Sequence, residues 1–172
     1  MKHTIYILVE NHAGVLSKIT GLFSRRAFNI ESLAVGVTTD VNVSRITVVA
    51  DGDEYVAEQI KKQLNKLIPV LEVKILKENS YISRELALIK VKSNTGNRIE
   101  IMKIAELMDA KVIDVSVNTI TLQIADTVDN LETLTNLLKP YGIKEMVRTG
   151  TVAIEKGSNF AKKYLNKAFG SR

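Results

Sequence analysis

Two patterns of apolar residues alternate along the chain, one typical of strands and the other typical of amphipathic helices. Residues 3–10 predict a strand, and because every position from Ile5 to Val9 is apolar, neither face of it is expected to lie fully in water. Residues 14–27 instead carry apolar side chains at helical spacing, on one stripe of an amphipathic helix. The stripe consists of Val15, Leu16, Ile19, Leu22 and Phe23.

The rest of the first half continues this alternation. Strands are predicted at 30–37, 44–50 and 70–76, and a second helix runs from the turn and cap at 51–53 to residue 67. Pro69 follows this helix, where proline is tolerated because the helix has ended. The order β-α-β-β-α-β is the split βαβ layout of ferredoxin-like domains.

A polar stretch at 77–80 reads as a linker, after which the layout repeats. Strands are predicted at 86–91, 111–117, 121–125 and 143–154, the last with Gly150 as a candidate break. Helices follow the turn at 93–97 and cover 128–138, ending before Pro140. We therefore predict an α+β fold class with two tandem ferredoxin-like (βαββαβ) domains, 1–77 and 81–156.

The C-terminal stretch 157–172 differs in character and is predicted to be a basic amphipathic tail. Its apolar residues are Phe160, Tyr164, Leu165, Ala168 and Phe169. One interpretation is a helix that docks on a partner or a membrane surface, and the other is a frayed tail, because isolated helices this short are marginal in water.

The net charge of +5 is concentrated at the C-terminus. From Lys156 onward the chain has five basic residues and no acidic residue. This segment therefore accounts for the whole net charge of +5, and residues 1–155 have a net charge of zero. We therefore expect no nucleic-acid partner. No run approaches the ~18 apolar residues of a membrane span. The chain has no cysteine and no signal-peptide pattern, so we expect a cytoplasmic protein without disulfides and no membrane partner.

The junction 11–14 is the candidate ligand site. Asn11 is a good N-cap residue type, and Gly14 lets a neighbour or ligand come close to the backbone. Free N–H groups and the helix dipole together favour an anion there. Because the glycine is single, a small carboxylate fits better than a nucleotide. The alternative is an ordinary capped strand-to-helix turn.

The sequence offers no set of residues that we can assign to a catalytic or metal site. His3 and His12 lie at opposite ends of one predicted strand and cannot share a metal, so we expect no metal site and no catalytic residues. His12 is either a donor in the ligand loop or a solvated loop residue. Asn29 is either a left-handed residue after the first helix or a polar recognition residue. Arg45 is either an exposed strand charge or a subunit contact.

Four motifs carry a resemblance to a known family. They are Asn-x-x-Gly-Val-Leu at 11–16, Gly-Leu-Phe-Ser-Arg-Arg at 21–26, Phe-Asn-Ile-Glu-Ser-Leu at 28–33 and Ser-Arg-Ile-Thr-Val-Val at 44–49. Residues 2–155 resemble the small, regulatory subunits of acetohydroxyacid synthase (acetolactate synthase), whose N-terminal half is an ACT domain. The chain departs from the usual family pattern at His12-Ala13 and at Lys18.

The resemblance implies a non-catalytic subunit of branched-chain amino acid biosynthesis. Such a subunit binds and activates the large catalytic subunit and confers feedback inhibition by a branched-chain amino acid, usually valine. Thiamine diphosphate, magnesium and FAD would belong to the catalytic partner. The ACT domains would form a homodimer with one continuous sheet. Pocket binding differs by only about 1–3 kcal/mol per methylene, so the sequence does not separate valine, leucine and isoleucine.

The resemblance also implies the residues of the effector site. The effector carboxylate would meet the N–H groups of Gly14, Val15 and Leu16, with Asn11 holding its ammonium or carboxylate and His12 in the same loop. Asn29 and Ile30 of the partner subunit would close the pocket. The alternative function is a free-standing amino-acid-sensing ACT protein that controls transcription or another enzyme.

Overall fold

The computed structural model describes residues 1–157, which form two compact units. The first unit contains residues 1–82 and 151–157, and the second contains residues 83–150. Each unit has its own antiparallel sheet and a pair of helices, so the predicted α+β class with two βαββαβ repeats is confirmed. Residues 158–172 of the predicted tail lie outside the described residues.

The helices and strands follow each other in the predicted order. The first repeat consists of β1 (Lys2–Glu10), α1 (Val15–Arg25), β2 (Ile30–Val37), β3 (Val43–Asp51), α2 (Glu54–Leu64) and β4 (Val70–Ile75). The second consists of β5 (Tyr81–Lys92), α3 (Arg98–Leu107), β6 (Lys111–Val115), β7 (Thr119–Asp126), α4 (Val128–Leu138) and β8 (Ile143–Arg148), followed by β9 (Val152–Glu155). Helix α2 ends at Leu64 rather than at residue 67.

The first sheet has the strand order β2-β3-β1-β4 and packs one face against α1 and α2. Ile5, Ile7, Ile46 and Val48 on this face are at most 1% exposed, and Ile19, Phe23, Ile60 and Leu64 complete the core from the helices. The predicted stripe of α1 is therefore confirmed, except that Leu16 stays 42% exposed. Asp53 caps α2 as the sequence predicts, with its carboxylate accepting the N–H of Val56 at 2.8 Å.

The opposite face of the first sheet is covered by the same chain. Tyr6 and Leu8 pack with Val43, Leu76 and Ala153, the last of which lies in β9. The prediction that neither face of β1 looks into water is confirmed, and the residues that bury Tyr6 and Leu8 belong to their own chain. The predicted strand 143–154 is two strands, β8 and β9, separated at Gly150, which has a φ of +81°.

The second sheet has five strands, with the order β6-β7-β5-β8 and β9 paired with β5, and its core packs against α3 and α4. Ile89, Ile120 and Leu122 are fully buried in its core. Glu85 is buried at the start of this unit, and Arg148 donates two hydrogen bonds to its carboxylate, at 2.7 and 2.9 Å. None of the helices that the structure describes is long and apolar enough to cross a membrane.

Candidate functional site

Asn11 is tied to the turn between β2 and β3. Its N–H donates to the Asn42 carbonyl at 2.7 Å, and its side-chain amide donates to the Val41 carbonyl at 2.7 Å. The prediction that Asn11 caps α1 is wrong, because its side chain reaches the neighbouring turn instead of the helix. Asn11 therefore positions the loop that leads into α1.

Gly14 occupies the N-cap position of α1 in the left-handed region, with a φ of +85°. This conformation favours glycine, because a Cβ would crowd the neighbouring backbone. No side chain caps the helix, and its first turn contains no acidic residue. Within the described residues, no side chain therefore caps the N–H groups of this terminus, and no acidic residue of the first turn compensates its positive dipole end.

Val15 and Leu16 contribute differently to this terminus. The Val15 side chain is buried in the core, and its N–H makes a long 3.4 Å bond to the His12 carbonyl. Leu16 instead presents an exposed apolar side chain directly after the cap. The terminus thus combines backbone donors with a small apolar surface, which suits a ligand carrying both a carboxylate and an apolar group.

His12 lies on the outside of the loop and is engaged locally. Its Nε2 lies 3.0 Å from a carboxylate oxygen of Glu10, and its Nδ1 lies 3.1 Å from the Ala13 carbonyl. Within residues 1–157, no group of three or more His, Asp or Glu side chains is arranged to hold a metal ion. The contacts of His12 are those of a loop-stabilising residue.

Asn29 and Ile30 lie at the other end of the sheet from this loop. Ile30 pairs with Ala50, which pairs in turn with His3, whereas Val9 at the loop end is level with Val37. Six residues of strand separate the two levels, a distance of about 20 Å. Within one chain, the structure does not bring Asn29 and Ile30 to the 11–16 loop.

The helix C-terminus also differs from the sequence expectation for Asn29. Ala27 is the residue with a positive φ, at 53°, while Asn29 is exposed and accepts the Asp51 N–H through its carbonyl. The interpretation of Asn29 as the left-handed residue after α1 is therefore wrong, because Ala27, two residues earlier, takes that conformation. Its side chain is left facing solvent beside the start of β2.

Arg45 belongs to a polar network on the helix-free face of the first sheet. Its guanidinium lies 4.0 Å from the centre of the Tyr6 ring, and Nη2 donates to the Ala153 carbonyl at 2.7 Å. Burial lowers the pKa of Arg45. Burial and a hydrogen bond to Glu72 raise the pKa of Tyr6. The default interpretation of Arg45 as an exposed strand charge is wrong, because β9 covers it.

Sequence reasoning also missed Ser32, whose hydroxyl accepts the Thr151 N–H at 2.7 Å. The separation of 119 residues explains the omission, since no local pattern links the two. The only sequence signal near this network was the basic Arg45 within an apolar strand.

The β2 strand forms a free edge of the first sheet in the described chain. Val35 and Val37 on this strand are 49% and 59% exposed. A long exposed edge with apolar side chains is a template for pairing with another strand.

Comparison with known proteins gives a consistent result for both units. Residues 5–72 match the family described as "AHAS small subunit-like ACT domain", and residues 84–157 match "Small subunit of acetolactate synthase". The chain is 49% identical over 160 residues to the acetolactate synthase small subunit of Bacillus subtilis, covering 92% of each chain. It is 45% identical over 155 residues to that of Mycolicibacterium smegmatis, covering 90% of this chain and 91% of the relative.

A solved structure gives the same relationship in three dimensions. The acetolactate synthase small subunit from Thermotoga maritima superposes with a TM-score of 0.87 at 35% sequence identity. The match covers 92% of this chain and 99% of that one.

Proposed function

Because the chain belongs to the family of acetolactate synthase small subunits, with an ACT domain in its first half, we propose that it is a non-catalytic regulatory subunit. In this proposal it binds the large catalytic subunit in the cytoplasm, raises the activity of that subunit, and confers feedback inhibition by valine or another branched-chain amino acid. The observation that carries the effector part is the uncapped, acid-free N-terminus of α1 beside the exposed Leu16.

The chemistry of this terminus matches that of a branched-chain amino acid. The carboxylate would lie against the N–H groups at Gly14 and Leu16, where the helix dipole favours negative charge. The side-chain oxygen of Asn11 takes no part in the bond to Val41 and would accept from the ammonium group. Leu16 would contact the aliphatic side chain.

The pairing of two copies would complete this site. Strands β1 and β2 are both antiparallel to β3, so the Val37 end of β2 lies at the same end of the sheet as the 11–16 loop. If two β2 edges pair antiparallel about a two-fold axis, the start of the partner subunit's strand comes to this end. The partner subunit's Asn29 and the partner subunit's Ile30 would then close the pocket, so their distance from the loop within one chain supports a site made by two copies.

The proposal assigns no reaction step to this chain. We place thiamine diphosphate, magnesium and FAD on the catalytic partner, where they would supply the carbon–carbon bond chemistry. This chain would act only by changing the activity of that partner.

Reconstitution with purified catalytic subunit tests the proposal. We expect the chain to raise acetolactate formation by the catalytic subunit and, alone, to form none above a preparation that lacks it. Valine, leucine and isoleucine would each be titrated by calorimetry into the free chain and by activity into the reconstituted enzyme. Binding of an amino acid without any effect on the catalytic subunit would instead support a free-standing sensor. Turnover by the chain alone would contradict the regulatory assignment.

A further inference from the structure

The segment 151–155 crosses the helix-free face of the first sheet and is bonded to three of its strands in turn. The Thr151 N–H donates to Ser32 Oγ on β2, Arg45 on β3 donates to the Ala153 carbonyl, and Lys74 on β4 pairs with the Glu155 carboxylate, each at 2.7 Å. The segment therefore runs from the β2 edge of the sheet to the β4 edge.

The segment's own residues are largely sheltered from water. Thr151 and Ala153 are 5% and 7% exposed and the Glu155 side chain is 10% exposed, whereas the side chain of its partner Lys74 is 45% exposed. Hydrogen bonds and ion pairs at low local dielectric are stronger than exposed ones and tolerate displacement poorly. A shift of one strand beneath the segment would therefore strain the buried bonds at Thr151 and Ala153.

Ser32 is the contact nearest to the proposed effector site. It lies two residues beyond Ile30 on the same strand, and the register between β2 and β3 shifts between these two residues. Such an irregularity is a point where a strand changes direction locally. If effector binding moves Ile30, the Ser32 hydroxyl would consequently be the first of the three contacts to be displaced.

Thr151 is, of the three contacts, the one closest in sequence to the second unit. It directly follows Gly150, the last residue of that unit, which has a φ of +81°. Making or breaking the Ser32–Thr151 bond thus acts on the covalent connection through which the chain returns from the second unit. A hydrogen bond that is made in one state and broken in the other would supply the two-state element that coupling requires.

We propose that the segment 151–155 carries the effector signal from β2 to the second unit, and that Ser32 and Arg45 are positioning residues for this coupling. The proposal rests on the proposed function, because it describes how a bound amino acid changes the activity of the catalytic partner. Neither residue touches the effector in this scheme. Substitution of either residue should leave the affinity for the effector unchanged and reduce the inhibition that the bound effector causes.

The test compares wild type, Ser32→Ala and Ser24→Ala in the full-length chain. Ser24 is exposed on α1 and serves as the matched control, since it loses the same hydroxyl away from the segment. Coupling is measured as the ratio of the reconstituted rate without valine to the rate at saturating valine. Valine affinity is measured separately by calorimetry on the free chain.

We expect Ser32→Ala to bind valine within about twofold of wild type and to stimulate the catalytic subunit normally. Its inhibition ratio should fall by roughly 2- to 30-fold, the range for residues that modulate coupling without contacting a ligand. Ser24→Ala should match wild type in all three measurements. Arg45→Met keeps an apolar stem over the Tyr6 ring but loses the bond to Ala153, and it should show the same separation of binding from inhibition.

Three results would overturn the inference. Full inhibition of both Ser32→Ala and Arg45→Met would mean that the segment only covers the sheet. Loss of valine binding in a folded Ser32→Ala variant would place Ser32 in the binding site itself. If neither valine, leucine nor isoleucine inhibits the wild-type complex, the proposed function fails first and this inference fails with it.

Discussion

Replacing Gly14 with aspartate, and separately with alanine, isolates the charge of the proposed anion site from its backbone geometry. Gly14 has a φ of +85°, and a Cβ built on it meets no atom within 4 Å outside residues 13–15. Both substitutions therefore share a backbone strain of about 1–2 kcal/mol and no clash within the chain. Aspartate tolerates this conformation better than alanine does, so its cost lies at the lower end. Only aspartate adds a negative charge.

The added charge sets the magnitude of the effect. An aspartate carboxylate at roughly 4 Å from the effector carboxylate, at an effective dielectric near 20, repels it by about 4 kcal/mol. At ~1.4 kcal/mol per tenfold, this weakens effector binding by about three orders of magnitude, and screening that halves the energy still leaves about 30-fold.

Valine titration of the reconstituted enzyme measures the result. We expect Gly14→Asp to abolish feedback inhibition while still activating the catalytic subunit, and Gly14→Ala to keep most of the inhibition. Thermal unfolding provides the control, with both variants losing about 4–8 °C for each kcal/mol of strain. Equal inhibition of the two variants would show that charge at this terminus is irrelevant to the effector. Loss of both activation and circular dichroism signal would show that Gly14 is needed for the fold.

Two further predictions concern stability. A fragment ending at Asn79 lacks β9 and exposes Tyr6 and Leu8, and the lost burial costs about 1.5–3 kcal/mol of folding free energy for each large side chain. We expect its melting temperature to lie well below that of residues 1–82 joined by a short linker to 151–157. Equal melting temperatures would mean that β9 does not stabilise this unit. Asp126 accepts hydrogen bonds from the Asn130 side chain and the Thr127 N–H, which lower its pKa. Its contribution to stability is therefore present above the unfolded pKa of about 3.9 and lost as pH falls through the lower folded pKa. Asp126→Asn should melt below wild type at pH 6 and approach it near pH 2, and a constant difference between the two would contradict this linkage.

Hydrophobic periodicity by itself determined the order of the helices and strands in both units, although it joined β8 and β9 into one strand. The stripe of α1 and the alternating faces of β1 identify their own buried sides, because a helix and a strand each repeat their side-chain directions at a fixed period. Val15, Ile19, Leu22 and Phe23 are buried as their spacing predicts. Local motifs also located the 11–16 loop and carried the family resemblance, since these residues are contiguous in the chain.

Contacts between distant residues were decided only by the tertiary structure. The partner of Asn11 is a carbonyl 30 residues away, so a residue type that suits a helix cap is used to hold a neighbouring turn. Arg45 is covered by Ala153 from a strand 108 residues later, and Ser32 accepts from Thr151. Period and residue type describe which side of an element is apolar, but not which later segment covers it. That choice depends on where the whole chain returns after the second unit, which no local pattern encodes.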